Sequence, residues 1–587
     1  MKNSLKFLLI IVITLFACEK SENNPKENPA PVAPEYSEVS FVTNKARYNP
    51  GEEVDFVIDK EISSSASIRY RHLNEIIKEN SYSGRNWTWK VPVTDFTGYM
   101  IDLYEIVDGK EIVYGSIAVD VSSDWTRFPR YGFLSEFDSA VSTEEIRNTL
   151  DQLTRYHING LQYYDWHNKH HKPLKMEGNT PSETWQDIAR RNVSFKTVEN
   201  YIQNAKSRNI SSMSYNLLFG AWEDFETDGV DKEWMIFNDA NHQNINKHEL
   251  DDNWALSDIL VVNPANEDWE EYIFAETENI YQFLDFDGWH LDQLGDRGKV
   301  YDYQGNSVDL KQGYNSFLNS LDQHFEGKKM VMNAVNQFGQ AQILNTGVDF
   351  AYTEVWYPNE RYDDLGQIIM DNNALSSNTK NTVLAAYMNY DLANSNGNFN
   401  TPAILYTDAV IFAFGGAHLE LGEHMLGKEY FPNNNLLMRA DLKESLIEYY
   451  DFMVAYQNLL RDGGNFNSPL ISSTDGKLNL NAWPPQYNNV AVIGKEVGNR
   501  QIIHLLNFAN VTSLDWRDNS GTQTFPQTEE NCNLQISVDK TVAKLWYASP
   551  DSNFGIAVNI NFTQNGNKLS FQLPYLKYWD MIVVEFE

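Results

Sequence analysis

The sequence predicts a multidomain chain: a central (β/α)8 TIM barrel flanked by an N-terminal immunoglobulin-like β-sandwich and a C-terminal antiparallel β-domain. Three observations predict it. The 587 residues exceed what one hydrophobic core organises, so two to four domains are expected. From about residue 123 to residue 461, short apolar runs alternate with helix-length amphipathic stretches, as parallel strands joined by crossover helices require. On either side of that stretch the runs are strand-like and divided by turn residues.

The first 17 residues read as a targeting segment. Lys2 and Lys6 precede an apolar run from Phe7 to Ala17, too short to span a bilayer. A small residue followed by Cys18 at the end of that run resembles a lipoprotein cleavage site. The expectation is a lipidated Cys18 at the cell envelope, on an outer-membrane or cell-surface lipoprotein, with plain secretion as the alternative. Residues 18–35 form a polar tether rich in Asn, Pro, Lys and Glu. Cys532 is the other cysteine, so with Cys18 lipidated no disulfide is expected.

Residues 36–122 carry the sandwich pattern, with runs such as Val54-Asp-Phe-Val-Ile58 and Trp87-Thr-Trp-Lys-Val91. Asp108-Gly109 between two β-rich runs signals a tight hairpin. In residues 123–461 the candidate strands are Tyr131–Glu136, Ile158–Tyr164, Ser211–Asn216, Asp287–Asp292, Met330–Val335, Phe350–Val355, Val383–Met388 and Ala417–Leu421. Helices are expected at Ser142–Tyr156, Val193–Lys206, Asp268–Phe283 and Leu310–Phe325. Leu217 to Asn266 breaks the rhythm and is expected to wall a cleft, since loops this long are uncommon unless they build a site. Residues 462–587 return to strand-like runs, among them Val490-Ala-Val-Ile493 and Met581-Ile-Val-Val-Glu-Phe586.

Composition narrows the partners. The formal charge is −35, a field that repels nucleic acid and anionic membrane surfaces and suits a neutral substrate. Aromatic residues make up 13%, which favours sugar stacking only mildly because rings also fill cores. A monomer is expected, touching a membrane only through its lipid anchor.

The chemistry is expected at the C-terminal ends of the barrel strands. Asp292 ends the fourth candidate strand in Asp287-Gly-Trp-His-Leu-Asp292, and Glu354 ends the sixth in Ala351-Tyr-Thr-Glu354. Two carboxylates at strand ends, beside Trp and Tyr, are what cleavage of a glycosidic bond requires. His167, His170 and His171 with Glu423 and His424 can be drawn as a metal site, but the spacing lacks a defined helical pair, so they read as polar loop residues. No phosphate cradle or nucleotide fingerprint is present, and neither metal nor cofactor is expected.

The stretches Asp287–Asp296 and Tyr352–Trp356 resemble the catalytic strands of glycoside hydrolase family 66, which contains endo-dextranases and cycloisomaltooligosaccharide glucanotransferases. Tyr156–Leu174 is similar to that family's second barrel strand and loop, and Gly415–Asn433 to its eighth. The resemblance implies a retaining enzyme acting on α-1,6-linked glucan, with Asp292 as nucleophile and Glu354 as acid/base. It implies dextran as the substrate and an endo-dextranase as the type. Cyclising members carry an extra carbohydrate-binding module near the seventh repeat, whereas only 28 residues separate Met388 from Ala417 here. The resemblance therefore favours hydrolysis.

Around the pair, Asp165 and His167 are expected to hydrogen-bond glucose hydroxyls, as is Asn216. Trp166, Trp222, Trp356 and Tyr357 are stacking candidates. Asn333 and Asn336 are expected to orient Glu354 or a substrate hydroxyl. Tyr164, Gln293 and Glu420 complete the expected substrate-binding set. Two other readings stand beside this one: a non-catalytic glucan-binding lipoprotein, and an α-glucan hydrolase or transglycosylase of other linkage.

Overall fold

The computed structural model describes residues 38–587. The expected leader, Cys18 and the tether lie outside the described residues.

Seven strands between Phe41 and Val121 pair into antiparallel sheets of three and four strands. Along Glu53–Ile58 exposure alternates at every step, which turns Val54, Phe56 and Ile58 inward. The expected hairpin joins Thr97–Val107 to Lys110–Val121. Its turn residues Asp108 and Gly109 have φ of +50° and +76°, the pair of positive angles that a type I′ turn needs. At the other end of the chain, residues 465–586 form sheets of seven and four strands.

Between them, eight parallel strands alternate with helices. Tyr131–Leu134, Gly160–Tyr163, Ser211–Leu217, Gly288–Asp292 and Lys329–Met332 form a five-stranded sheet in chain order. Ala351–Glu354, Thr382–Ala385 and Ala417–His418 form a three-stranded sheet, also in chain order. The expected single ring is thus two hydrogen-bonded sheets that touch at two seams. At one seam Ala334 N–H donates to the Tyr352 carbonyl at 3.0 Å. At the other, Phe133 N–H donates to the Leu421 carbonyl at 3.2 Å. Glycines allow the second approach: a Cβ on Gly132 would lie 2.6 Å from the Leu421 oxygen, and one on Gly422 would lie 2.4 Å from the Phe133 oxygen.

The helices follow from local signals. Thr143–Arg155 begins with a capping box in which Ser142 Oγ accepts from Glu145 N–H and the Glu145 carboxylate accepts from Ser142 N–H. Its inward stripe is Ile146, Leu150 and Leu153. Thr401–Ala413 differs, being buried on every side. Tyr406 stacks on Phe508 and Thr407 donates to the Trp516 carbonyl, so the C-terminal region covers the face that a peripheral helix would show to water.

The Leu217–Asn266 excursion folds into short strands and turns. Its residues His248, Leu250 and Trp254 line a cavity at the strand ends, as expected of a cleft wall.

Candidate active site

The cavity has a volume of about 330 Å³ and opens at the C-terminal ends of the parallel strands. Asp292 and Glu354 both line it, half-buried, each the last residue of its strand. One amide group joins them. Asn333 Nδ2 donates to Asp292 Oδ1 at 2.9 Å and to Glu354 Oε2 at 3.1 Å. Those two oxygens therefore lie no farther apart than the two bonds laid end to end, about 6 Å.

The remaining partners differ. Asp292 accepts from the Tyr215 hydroxyl at 2.7 Å and from Gln293 N–H at 2.8 Å. Glu354 accepts from the Tyr387 hydroxyl at 2.8 Å. Burial raises both acids, because a charged carboxylate loses hydration among these tyrosines. For Asp292 the three donors oppose that rise. Glu354 is pushed up to about 7, by burial first and by the Asp292 charge second. The proton belongs on Glu354 and the charge on Asp292. Trp356, by hydrogen bonding to the Glu354 carboxylate, acts against the rise that burial causes in the Glu354 pKa.

Strand alternation explains who faces the cavity. His290 shares the face of Asp292, and Tyr352 that of Glu354, so all four line the cavity. Parallel register sets Tyr215 opposite His290, within reach of Asp292 two residues on. His290 is fully buried and pulled down to about 3 by desolvation, so it stays neutral beside the acids. Neither Tyr215, Tyr387 nor His290 was singled out from sequence; the period-two pattern around Asp292 and Glu354 held the signal for His290.

Several expected residues take their places. Tyr164, Asp165, Gln293 and Asn333 line the cavity. Asp165 is pushed up to about 7 by burial, with Arg191 opposing. Asn336 orients the loop after Glu354: its Oδ1 accepts from Trp356 N–H at 2.8 Å and its Nδ2 donates to the Tyr357 carbonyl at 2.8 Å. Trp356 packs on Tyr387 with ring centroids 5.4 Å apart and Tyr357 stands 77% exposed; neither of these stacking candidates lines the cavity.

Five expectations are corrected. Trp166 is fully buried and packs on Trp185 and Phe286, so it belongs to the core and offers no stacking face. Trp222 is buried with Leu217 and Ile259 behind the cavity wall. Asn216 points away from the cavity, because Tyr215 before it points in; its amide donates to the His170 carbonyl at 2.8 Å. His167 is buried behind His170, its Nε2 being 2.7 Å from His170 Nδ1, and His170 is the one that lines the cavity. Glu420 is fully buried with His418, Asp408 and Tyr450, outside the cavity lining.

Of the histidines and acids drawn together from sequence, His167 and His170 bond each other while Glu423 and His424 take other partners. Glu423 accepts from Ser135 N–H at 2.8 Å and Glu136 N–H at 3.0 Å, and His424 Nε2 bonds the Phe431 carbonyl. Among the described residues two groups have the spacing of metal ligands. In His171–Asp224–Asp228, Lys169 and Lys172 already pair with Asp228. In Asp408–His418–Glu420, both carboxylates pair with His418 Nδ1.

Comparison with known proteins gives the family. The chain is 27% identical to a cycloisomaltooligosaccharide glucanotransferase of Niallia circulans, over 92% of this chain and 71% of that one. It is 23% identical to a dextranase of Streptococcus salivarius, over 84% of this chain and 68% of that one. A crystal structure of a Paenibacillus sp. cycloisomaltooligosaccharide glucanotransferase, complexed with cycloisomaltoheptaose, superposes with a TM-score of 0.86 at 26% identity, covering 93% of this chain and 99% of that one. The model for glycosyl hydrolase family 66 matches residues 43–583. This chain belongs to glycosyl hydrolase family 66.

Proposed function

We propose that this protein is a retaining, endo-acting glycoside hydrolase that cuts α-1,6-glucosidic bonds of dextran and releases isomaltooligosaccharides. One observation carries the reading: a single Asn333 amide donates to both Asp292 and Glu354 at the floor of the cavity. It holds one oxygen of each carboxyl within about 6 Å of the other, which admits the roughly 5–5.5 Å of retaining enzymes. The relatives named as a dextranase and as cycloisomaltooligosaccharide glucanotransferases support an α-1,6 glucan as substrate. The eight parallel strands and their two seams support one closed (β/α)8 barrel, with both acids at its C-terminal mouth.

In this mechanism the ionised Asp292 attacks the anomeric carbon from the face opposite the leaving oxygen, and protonated Glu354 gives that oxygen its proton. The glycosyl ester removes the Asp292 charge, so the Glu354 pKa falls and Glu354 serves as base toward water. Tyr215 and Asn333 hold the nucleophile in line.

A second reading has its own support. The glycosyl-enzyme can pass its sugar to a glucan hydroxyl, and two relatives of this chain are named as glucanotransferases. Against cyclisation, the alignment with one of them runs over 705 positions, more than the 587 residues present here. Incubation with dextran, starch and pullulan, followed by chromatography of the products, tests the readings. Linear isomaltooligosaccharides from dextran, with starch intact, are expected. Starch cleavage would overturn the linkage, cyclic products would favour the transferase, and binding without cleavage would leave only a glucan-binding role.

We extend the proposal to location: Cys18 carries a lipid that holds the enzyme at the cell envelope. A Cys18→Ser variant is then expected in the soluble fraction, and one that stays with membranes would overturn the anchor.

A further inference from the structure

Arg517 lies in the irregular stretch between the C-terminal strands Arg500–Asn507 and Glu529–Ser537. It is distant in sequence from the catalytic acids, yet only 6% exposed. One guanidinium nitrogen donates to the Val355 carbonyl at 2.8 Å and another to the Tyr387 carbonyl at 3.1 Å. Val355 directly follows Glu354, and Tyr387 is the residue whose hydroxyl donates to Glu354. The guanidinium also lies 5.1 Å from the ring centre of Trp356 and 5.5 Å from that of Tyr390. Neighbours fasten the same stretch to the same two loops. Trp516 Nε1 donates to the Asn359 carbonyl at 2.8 Å, and Asn389 N–H donates to the Arg517 carbonyl at 2.8 Å.

Among the described residues the Arg517 guanidinium forms no ion pair; its hydrogen bonds go to main-chain carbonyls. Burying a cation away from an acid costs desolvation energy, so this placement needs a return in geometry. A planar fork that grips two carbonyls supplies one. Glu354 ends the sixth parallel strand and Tyr387 lies two residues beyond the seventh, and the bond between those side chains depends on the spacing of the two ends.

We propose that Arg517 is a positioning residue for Glu354. By holding the main chain beside the acid/base and beside its tyrosine partner in one fork, the C-terminal region sets the carboxyl against the leaving oxygen. The proposal rests on the reading of Glu354 as acid/base. It gives the C-terminal β-region a part in the chemistry beyond packing.

The test uses the full chain and four substitutions: Arg517→Lys, Arg517→Ala, Tyr387→Phe and Glu354→Gln. Turnover and KM are measured on dextran and on a 4-nitrophenyl α-isomaltoside, whose leaving group needs little proton assistance. Arg517→Lys is expected to lower kcat on dextran by roughly tenfold to a hundredfold, the scale of a displaced catalytic group. On the activated glycoside kcat/KM, which reports formation of the glycosyl ester, should lose less than about threefold, whereas on dextran it falls with kcat. The double variant Arg517→Lys/Tyr387→Phe is expected to be no worse than its weaker parent, because both changes release the same carboxyl.

Equal loss of kcat/KM on both substrates would overturn the proposal, as that is how a merely less folded enzyme behaves. Full activity of Arg517→Lys would overturn it as well, since charge alone would then suffice. Thermal unfolding reports which variants fold; if Arg517→Ala does not, the Lys variant and the double variant decide. Glu354→Gln reads the underlying assignment separately: without a bias toward the activated substrate, Glu354 is not the acid, whatever Arg517 does.

Discussion

Two bridged pairs of carboxylates sit in the central region, and they have opposite characters. Asp292 and Glu354 are bridged by the neutral Asn333 amide and face a cavity of about 330 Å³. Asp408 and Glu420 are bridged by His418 and have no exposed surface. Both pairs contain a carboxylic acid pushed far above its usual range: Glu354 to about 7, and Asp408 to about 8, each by burial first and by the neighbouring acid second. A displaced pKa therefore does not by itself mark chemistry. In the first pair the bridge carries no charge, so in the proposed mechanism the proton can move once a glycosyl ester removes the charge of Asp292. In the second, the neighbouring acids hold the imidazole protonated, up to about 10, and its other nitrogen bonds the Ala386 carbonyl at 2.8 Å. That triad is a closed, compensated set inside the protein.

The contrast breaks first at Asp292, the proposed nucleophile. Asp292→Ala is expected to lose several orders of magnitude in turnover on every substrate, because no glycosyl ester can form. Glu354→Gln should be severe on dextran and milder on an activated glycoside. Azide should restore turnover of an activated glycoside to Glu354→Ala and yield the α-glycosyl azide, because it displaces Asp292 from the face that the leaving oxygen held. Near-normal dextran cleavage by either single variant would remove the distinction between the pairs.

Asn333→Ala tests the neutral bridge. Loss of a preorganised donor at a reacting carboxylate is expected to lower kcat on the order of a hundredfold. It should also move the pH profile. In the wild type, kcat/KM falls as pH rises through the Glu354 value of about 7, where the acid is lost, and falls at low pH as Asp292 is protonated. Removing the amide takes away a bond that favours ionised Glu354, so the basic limb should shift to higher pH. An unmoved limb would mean that Asn333 does not hold the pair.

His418→Gln tests the charged bridge and should do the reverse. Two buried acids lose their cation, an expected cost of about 3–5 kcal/mol of stability, read as a lower Tm or denaturant midpoint. Turnover per folded molecule should stay near wild type. A large loss of turnover in folded protein would make the second pair part of the site after all.

The smallest effect is the pH dependence of that stability. Asp408 and His418 both have folded values raised above their unfolded ones, so the triad's contribution is complete below the unfolded values and is lost as pH rises through about 8 and about 10. Wild-type Tm is expected to fall between neutral pH and pH ~10, and His418→Gln to flatten that slope. Parallel slopes in the two proteins would assign the loss to other groups.

Glu420 also shows where reading the sequence stops. It ends an apolar run just as Asp292 does, and the two look alike in the primary structure. The difference lies in what packs on each: Tyr450, from the helix Ala440–Ala455, closes over Glu420, whereas the excursion after the third parallel strand leaves space over Asp292. Trp166 and Trp222 failed as stacking candidates for the same reason. A ring at a strand end is equally suited to a core and to a sugar until the neighbouring layers are known.

The sequence by itself determined the alternation of strand and helix, the β-regions at both ends, the hairpin at Asp108-Gly109 and the two strand-end acids with Asn333 between them. These are local properties: side-chain period, turn conformation and the position of a residue in its own element. The tertiary structure alone decided that one amide spans both acids, that Tyr215 and Tyr387 complete them, that Glu420 is sealed, and that Arg517 reaches the main chain beside Glu354. Each joins residues distant in sequence, and the distances between such residues are set by how layers pack, which no local pattern encodes.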